Sequence, residues 1–423
     1  MRFLGKTVCF AVCLIITSAL PLHSQGFFGD VSDFLNSIYG IDNNAGLTAF
    51  PVLKVPMGGR SEGMAGAFAA VSDDISFIEF NPAGSSMLKN SELAFFHNNW
   101  IADTMLEGVA YTTRLGKFGI AAGAKWLYTP FTEYNYYGNS VASSLYSEGV
   151  IILNASRNFF AGYYFGGLSL GINLKGAFRI VPDFTDKHDN IISGSGAGQS
   201  AFMGMADIGA LTRFNLFKFY NAREHNMSAA LVLRNLGPPA LGEPLPTILN
   251  AAVAYKPIRP LLISLDLFLP LNLMDISLSE LPYGALGLSL QITNFLSMRA
   301  GFMVKAGSSR VTVGSAVTVK NISVDINYTL DLLTQFQPLN RVSIGVRVNM
   351  GDGGRKVLSD TVDELYLLGL EEYIQGNNSA AKLRWEEALE IDPGFDPAKE
   401  GILMLENREG LIRRIEDLFL LDF

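Results

Sequence analysis

The chain has 423 residues, of which 49% are hydrophobic and only 17% charged, with 42 glycines and a mean hydropathy of +0.24. Soluble domains carry about a quarter of their residues charged, so the composition is that of a membrane protein. Yet no apolar run reaches the roughly 20 residues that a spanning helix needs, and the longest, Val8–Leu20, lies at the extreme N-terminus. That run follows Arg2 and Lys6 and precedes Leu22-His23-Ser24, the three-part layout of a secretory signal over Met1–Gln25. A lipoprotein reading would use Cys13, but apolar residues continue beyond it to Leu20. Both cysteines, Cys9 and Cys13, fall inside the signal, so the exported chain is expected to have no thiol, disulfide or thiolate metal site.

Residues 26–87 do not alternate. Phe27–Tyr39 has Phe27, Val31, Phe34, Leu35 and Ile38 at helical spacing, and a stretch rich in glycine and alanine follows from Pro56 to Asp74. Small residues at this density let backbones pack closely, as a plug inside a lumen requires. The run Gly63–Val71, the Ser72-Asp73-Asp74 after it and the motif Asn81-Pro82-Ala83-Gly84 resemble the N-terminal hatch of FadL-type outer-membrane transporters of long-chain fatty acids and other hydrophobic compounds. Leu245-Pro246-Thr247, leading into a strand, is a further point of likeness. The resemblance implies a fourteen-stranded barrel whose hatch blocks the pore, with ligand entering from outside and leaving sideways through the wall. It makes Asn81, Pro82, Ala83 and Gly84 gating elements. The bland reading of the same four residues is a plain turn before the first strand.

From Ser91 to Met350 the period is two. Ile322, Val324, Ile326, Tyr328 and Leu330 share one face, and Asn321, Ser323, Asp325, Asn327 and Thr329 the other. Arg310–Lys320 and Arg341–Met350 repeat the pattern. Each segment has about ten residues, the length of a tilted strand that crosses a bilayer core. Such segments lie near 91–100, 106–115, 118–128, 146–158, 164–181, 200–217 and 226–236, and again near 247–256, 260–269, 283–292, 296–305, 310–319, 322–330 and 340–350. The expected fold is therefore an all-β transmembrane barrel of about fourteen antiparallel strands over 88–350, with long loops at Thr129–Leu145 and Pro182–Gln199. A soluble β-sandwich or propeller is the alternative; strand length, low charge density and end-of-strand aromatics such as Trp126 and Tyr128 speak against it. If a carboxylate ligand is bound, the basic residues at polar strand positions are Arg114, Lys125, Lys175, Arg179, Arg341 and Arg347. Glu107, Asp207, Asp266 and Asp325 are available to pair with them instead.

At Gly351 the composition changes. Residues 351–423 hold 17 acidic and 8 basic positions, so the formal charge of −8 belongs to this tail. A linker over 351–361, opening with Gly351-Asp352-Gly353-Gly354, leads to Val362–Pro393, which resembles one tetratricopeptide repeat. Leu365, Leu368-Gly369, Gly376, Ala381, Trp385, Ala388 and Pro393 carry the likeness, and further helices are expected at Asp396–Arg408 and Leu411–Leu421. A lone repeat cannot bury its faces, so residues 362–423 are expected to dock on a periplasmic partner, another copy or the barrel mouth.

No pattern for an enzyme, metal site, cofactor or nucleic acid stands out. Gly167-Leu168-Ser169-Leu170-Gly171 matches the nucleophile-elbow spacing, but it sits inside an alternating run rather than at a strand-to-helix turn. The glycines of Gly194–Gly198 lack the lysine and the helix of a phosphate loop. The expected function is uptake of long-chain fatty acids or similar hydrophobic molecules across the outer membrane. A protein-docking or secretion-associated platform is the alternative, and a general diffusion porin is disfavoured by the hatch-like segment.

Overall fold

In the computed structural model the described residues are 40, 42–100, 103–134, 137–183, 192–220, 224–332 and 340–407. The signal at Met1–Gln25, the helix expected at Phe27–Tyr39 and the helix expected at Leu411–Leu421 lie outside them. Fourteen antiparallel strands form a closed barrel in which each strand pairs with its sequence neighbours and β1 pairs with β14. They are β1 (Glu92–Asn99), β2 (Met105–Leu115), β3 (Phe118–Tyr134), β4 (Ser140–Phe159), β5 (Leu168–Ile180), β6 (Ala201–Phe214) and β7 (Met227–Leu236). The second half comprises β8 (Thr247–Ile258), β9 (Leu261–Leu271), β10 (Tyr283–Gln291), β11 (Leu296–Val304), β12 (Arg310–Val319), β13 (Ile322–Asp331) and β14 (Arg341–Asn349). Closure satisfies the backbone groups that an open edge would leave bare, the condition for strands to cross lipid.

Alternation decides which face is which. On β13, Ile322, Val324, Ile326 and Tyr328 are exposed, while Ser323, Asp325, Asn327 and Thr329 are buried. On β9, Leu265, Leu267 and Leu269 face out, and Ser264 and Asp266 face in. This is the inverse of a soluble protein, apolar outside and polar within, as a membrane-spanning barrel requires. The stretch Thr129–Leu145, expected as a loop, is largely strand: β3 and β4 stay paired through Thr129↔Tyr146 and Phe131↔Ser144. Its threonines and aromatics are good strand formers, and its polarity on both faces marks a hairpin that outgrows the apolar belt rather than a break in pairing.

The barrel has two ends. The strand chain begins and finishes at one, here the tail end; Asp42, the 272–282 loop and Lys305 lie at the other, the far end. Residues 49–88 pack within the barrel as short pieces: turns at Pro51–Lys54 and Pro82–Met87, α1 (Gly59–Gly63) and α2 (Phe77–Phe80). Phe50, Phe68, Phe77 and Ile78 are fully buried there. After β14, pairing with the β1 side runs on to Gly351, whose carbonyl accepts the Ser91 N–H at 2.8 Å. Gly351, Gly353 and Gly354 all have positive φ (95°, 65° and 80°), a geometry suited to glycine at a sharp change of direction. The tail then forms α3 (Arg355–Ile374), α4 (Asn378–Ile391) and a helix at 396–407. Trp385 is the core of this unit. A Cβ on Gly369 would lie 2.3 Å from its indole nitrogen, so α3 and α4 meet only because that position is bare.

Candidate functional site

The segment inside the barrel has little regular structure, so its backbone groups must find partners elsewhere or pay for burial unpaired. The inward polar side chains of the wall are those partners. The Ala69 N–H donates to Asp266 (3.0 Å), Ile75 N–H to Glu92 (2.8 Å) and Val52 N–H to Glu148 (3.0 Å). In the opposite sense, Asn327 donates to the Gly59 carbonyl (2.9 Å), Thr312 to Gly63 (3.1 Å), Ser228 to Ala70 (2.7 Å) and Asn173 to Ile78 (3.0 Å). Arg213 reaches three carbonyls, those of Val71, Ser72 and Met87. The wall is thus written to hold a particular backbone.

Wall glycines complete the seat. A Cβ on Gly119 of β3 would lie 2.1 Å from the carbonyl carbon of Ser85, one on Gly171 of β5 2.2 Å from the Pro82 oxygen, and one on Gly301 of β11 2.4 Å from the Ala65 nitrogen. Each missing side chain is space that the inner backbone occupies. Ser169, from the elbow-like motif, is buried and donates to the Ala83 carbonyl at 2.7 Å, beside Ser86 Oγ at 2.6 Å. It is a fastening of the inner segment.

The motif Asn81–Gly84 lies at the centre of this seat. Asn81 is fully buried; its amide donates to the Ala69 carbonyl (2.9 Å) and the Ala210 carbonyl of β6 (3.3 Å), and its oxygen accepts the Ala83 N–H (3.0 Å). Asn81 therefore caps the Pro82–Met87 turn and ties it to the wall. The Pro82 carbonyl accepts from Asn154 at 2.8 Å, and a Cβ on Gly84 would lie 2.6 Å from the Phe77 ring.

Of the six basic residues, five sit beside carboxylates: Lys125 with Glu79 (2.6 Å), Lys175 with Asp207 (2.6 Å), Arg179 with Glu148 (2.8 Å), Arg341 with Glu62 (2.5 Å) and Arg347 with Asp74. Arg114 donates instead to the carbonyls of Gly116 (2.8 Å) and Leu88 (3.4 Å), at the tail end. Asp325 pairs with Arg299, and Asp266 accepts from Asn250 and Ser264 as well as from the inner segment. Glu107 faces outward and pairs with His97 at 2.8 Å.

Above the inner segment, towards the far end, an open chamber remains. Apolar groups line much of it, among them Phe80, Val150, Ile152, Ile248, Phe268 and Met303. Seven cationic residues also line it (Lys54, Lys125, Lys175, Arg234, Lys305, Arg310, Arg341) against three acids, Glu62, Glu79 and Glu280. Glu280 lies between Lys54 (2.5 Å) and Lys305 (2.8 Å). Burial alone would raise its carboxyl, but the ammonium groups of Lys305 and Lys54 hold it below the usual glutamate range. With the pairs counted, Arg234 and Arg310 alone of the seven have no carboxylate partner among the described residues. Arg234 donates to the Glu79 carbonyl (3.2 Å) and lies over Phe80 and Phe268 at 5.6 and 5.7 Å, with its buried Nε unpartnered. Among the described residues Arg310 donates only to the Met303 thioether, at 3.2 and 3.3 Å, with Asp331 opposite it in the β12–β13 register. Sequence reasoning passed over both. Arg310 opens a strand, and Arg234 sits at a register break between β6 and β7, where Asn235 takes φ 57°.

These features define a class: a membrane-spanning β-barrel with an internally seated N-terminal segment and a chamber both apolar and cationic. The chain belongs to the Uncharacterised protein family (UPF0164), whose model matches residues 37–353. A UPF0164 protein of Treponema pallidum (strain Nichols) is 30% identical over 382 residues, covering 87% of this chain and 84% of its own. A second from the same strain is 27% identical over 381 residues, covering 83% and 74%. Among solved structures the chain is similar to the CymD monoaromatic hydrocarbon channel (12% identity, TM-score 0.46, 69% of this chain and 97% of that one). It is also similar to the Ralstonia pickettii toluene transporter TbuX (12%, TM-score 0.45, 72% and 99%). These likenesses concern the barrel, and its cargo has to be argued from its own residues.

Proposed function

We propose that the chain is an outer-membrane channel that takes up hydrophobic molecules bearing an anionic headgroup, long-chain fatty acids being the simplest case. The observation that carries this is the chamber, where two arginines that form no ion pair among the described residues stand beside apolar groups. A half-buried guanidinium without an ion-pair partner carries a desolvation cost, and a ligand carboxylate would relieve it in the bidentate manner arginine favours. The acyl chain would gain about 0.8 kcal/mol for each CH₂ moved from water to the apolar lining. The segment over 26–87 would act as the hatch, with Asn81-Pro82-Ala83-Gly84 as its gating elements, as the likeness to FadL-type transporters implies. Sideways release would use the β6–β7 seam, whose register break between Ala206 and Ile208 adjoins the chamber through Asn235. In this orientation the far end faces outward and the tail lies in the periplasm. A second role, as a platform docking a protein through residues 362–423, draws support from the grip that the tail takes on the barrel rim.

The test is equilibrium binding of a fluorescent long-chain fatty acid to the purified chain without residues 1–25. Saturable binding is expected, weakened roughly tenfold or more by Arg234→Met or Arg310→Met, with the matching fatty alcohol binding less tightly than the acid. Absence of saturable binding sinks the reading. Equal affinity for acid and alcohol would remove the anionic headgroup from it.

A further inference from the structure

The tail end carries a contact that uptake does not use. The turn between β4 and β5 leaves the rim and ends between α3 and the helix at 396–407. There the Tyr163 N–H donates to the Gly394 carbonyl (3.2 Å) and to the Asp396 carboxylate (3.3 Å). Its ring meets Phe395 edge-on at 5.3 Å, and Phe395 meets Tyr366 of α3 in the same way at 5.4 Å. The Tyr164 hydroxyl donates to Glu400 at 3.2 Å. Close approach depends on two glycines. A Cβ on Gly162 would lie 3.0 Å from the Asp396 carboxylate, and one on Gly394 3.2 Å from the Ala161 carbonyl.

None of this is required to form the turn. Its own bonds close it, from the Gly162 N–H to the Phe165 carbonyl (2.9 Å) and from Asn158 to the Gly166 carbonyl (3.0 Å). Beneath the turn the tail therefore presents an aromatic floor (Tyr366, Phe395), an acidic rim (Asp396, Glu400) and a backbone acceptor at Gly394, a groove that the turn fills. That chemistry suits a short segment with a tyrosine, an available N–H and a flanking glycine, and without acids. We propose that this groove is a docking site for such a segment of a partner protein, and that the chain's own turn 161–164 fills it at rest and is displaced on docking.

Displacement would reach the interior. The first residue of α3, Arg355, donates to the carbonyls of Lys89 (2.7 Å) and Arg114 (2.8 Å), and Lys89 lies just beyond the inner segment. Behind Arg355 lies the glycine hinge, so a tail freed from Tyr163 can swing and withdraw that clamp. The inference is independent of the cargo, because none of these residues lines the chamber.

The test uses the full chain without residues 1–25 and a fluorescent peptide with the sequence of residues 160–167. Wild type should bind it weakly, because the groove is filled. Tyr163→Ala, which takes the ring off Phe395 and loosens the turn, should bind it roughly tenfold more tightly, and Asp396→Ala added to that variant should abolish the gain. A peptide with alanine at both tyrosines should not bind. Heat-dependent gel migration reports that each barrel is folded. Because the only cysteines are Cys9 and Cys13, a Tyr164→Cys/Glu400→Cys pair gives a second readout: its disulfide should form readily and form more slowly with excess unlabelled peptide. If Tyr163→Ala binds no better than wild type, or the peptide leaves the cross-link unchanged, the proposal fails.

Discussion

The seating of the inner segment on bare wall positions makes a sharp prediction for Gly119→Ala combined with Gly171→Ala. The two new methyl groups would stand 2.1 Å from Ser85 and 2.2 Å from Pro82, where ordinary contact begins at 3.4 Å. Both obstacles are backbone, which cannot rotate away as a side chain can, so the Pro82–Met87 turn must lift by more than an ångström. That shift breaks the Ser86 N–H bond to Ser156 (2.8 Å), the Ser169 bond to Ala83 (2.7 Å) and the Asn154 bond to Pro82 (2.8 Å). Overpacking costs about 1–3 kcal/mol at each site, and each lost bond about 1 kcal/mol. Strain and lost bonds share one displacement and do not add fully, so the low end of the sum, roughly 5 kcal/mol, is the working figure. That corresponds to a factor of roughly 10³ to 10⁴ between seated and lifted forms.

Hydrogen exchange at the Ala83 and Ser86 amides measures the shift directly, and planar-bilayer conductance reports whether lifting opens a path. The double variant should exchange faster by about that factor and conduct ions more than wild type. Gly204→Ala is the control: Gly204 lies on β6 with nothing within 4 Å of a Cβ, so that variant should match wild type. A folded double variant whose Ala83 and Ser86 amides stay as protected as wild type would refute the seating argument.

Three further outcomes follow from single contacts. Asn81→Ala removes the cap on Ala83 and leaves the buried Ala69 carbonyl unpaired, so the inner segment should lose about 1–3 kcal/mol, read as protease sensitivity near Ser76–Gly84 in an otherwise intact barrel. Glu280 is held below the ordinary glutamate range, so its stabilisation is complete above about pH 4.3 and is lost as pH falls through its lower folded value. Acidification should free the 272–282 loop for cleavage, and Glu280→Gln should do so at neutral pH; equal protection in that variant would count against the lysine clamp. His97 and Glu107 form a hydrogen-bonded pair on the outer face, two positions from the far ends of β1 and β2. Replacing both with valine should raise stability in lipid vesicles by roughly 1 kcal/mol, whereas His97→Val alone should lower it.

The barrel was legible because its signal is local. Strands that alternate Ile322, Val324, Ile326 against Ser323, Asp325, Asn327 declare both their period and their inverted faces without reference to any other part of the chain. The helix pair was legible for a similar reason, since Gly369, Ala381 and Trp385 keep their spacing within one short segment. What escaped is non-local. Gly119 and Gly171 read as weak strand residues, and nothing near them in sequence says that Ser85 and Pro82 occupy the space they leave. The six basic residues were picked by position on a strand, but pairing depends on which acid the closed wall or the inner segment brings across: Glu62 and Glu79 come from more than 40 residues away. Arg234 was hidden by a register break that a strict period of two cannot express, and Arg310 by its place at a strand's first residue. The two arginines left over are thus a consequence of the seat. The inner segment takes Lys125, Arg341 and Arg347 into pairs of its own, and the wall keeps Lys175 for Asp207. A wall built to hold a backbone so completely has spare charge only where that backbone ends, which is where a ligand can reach it.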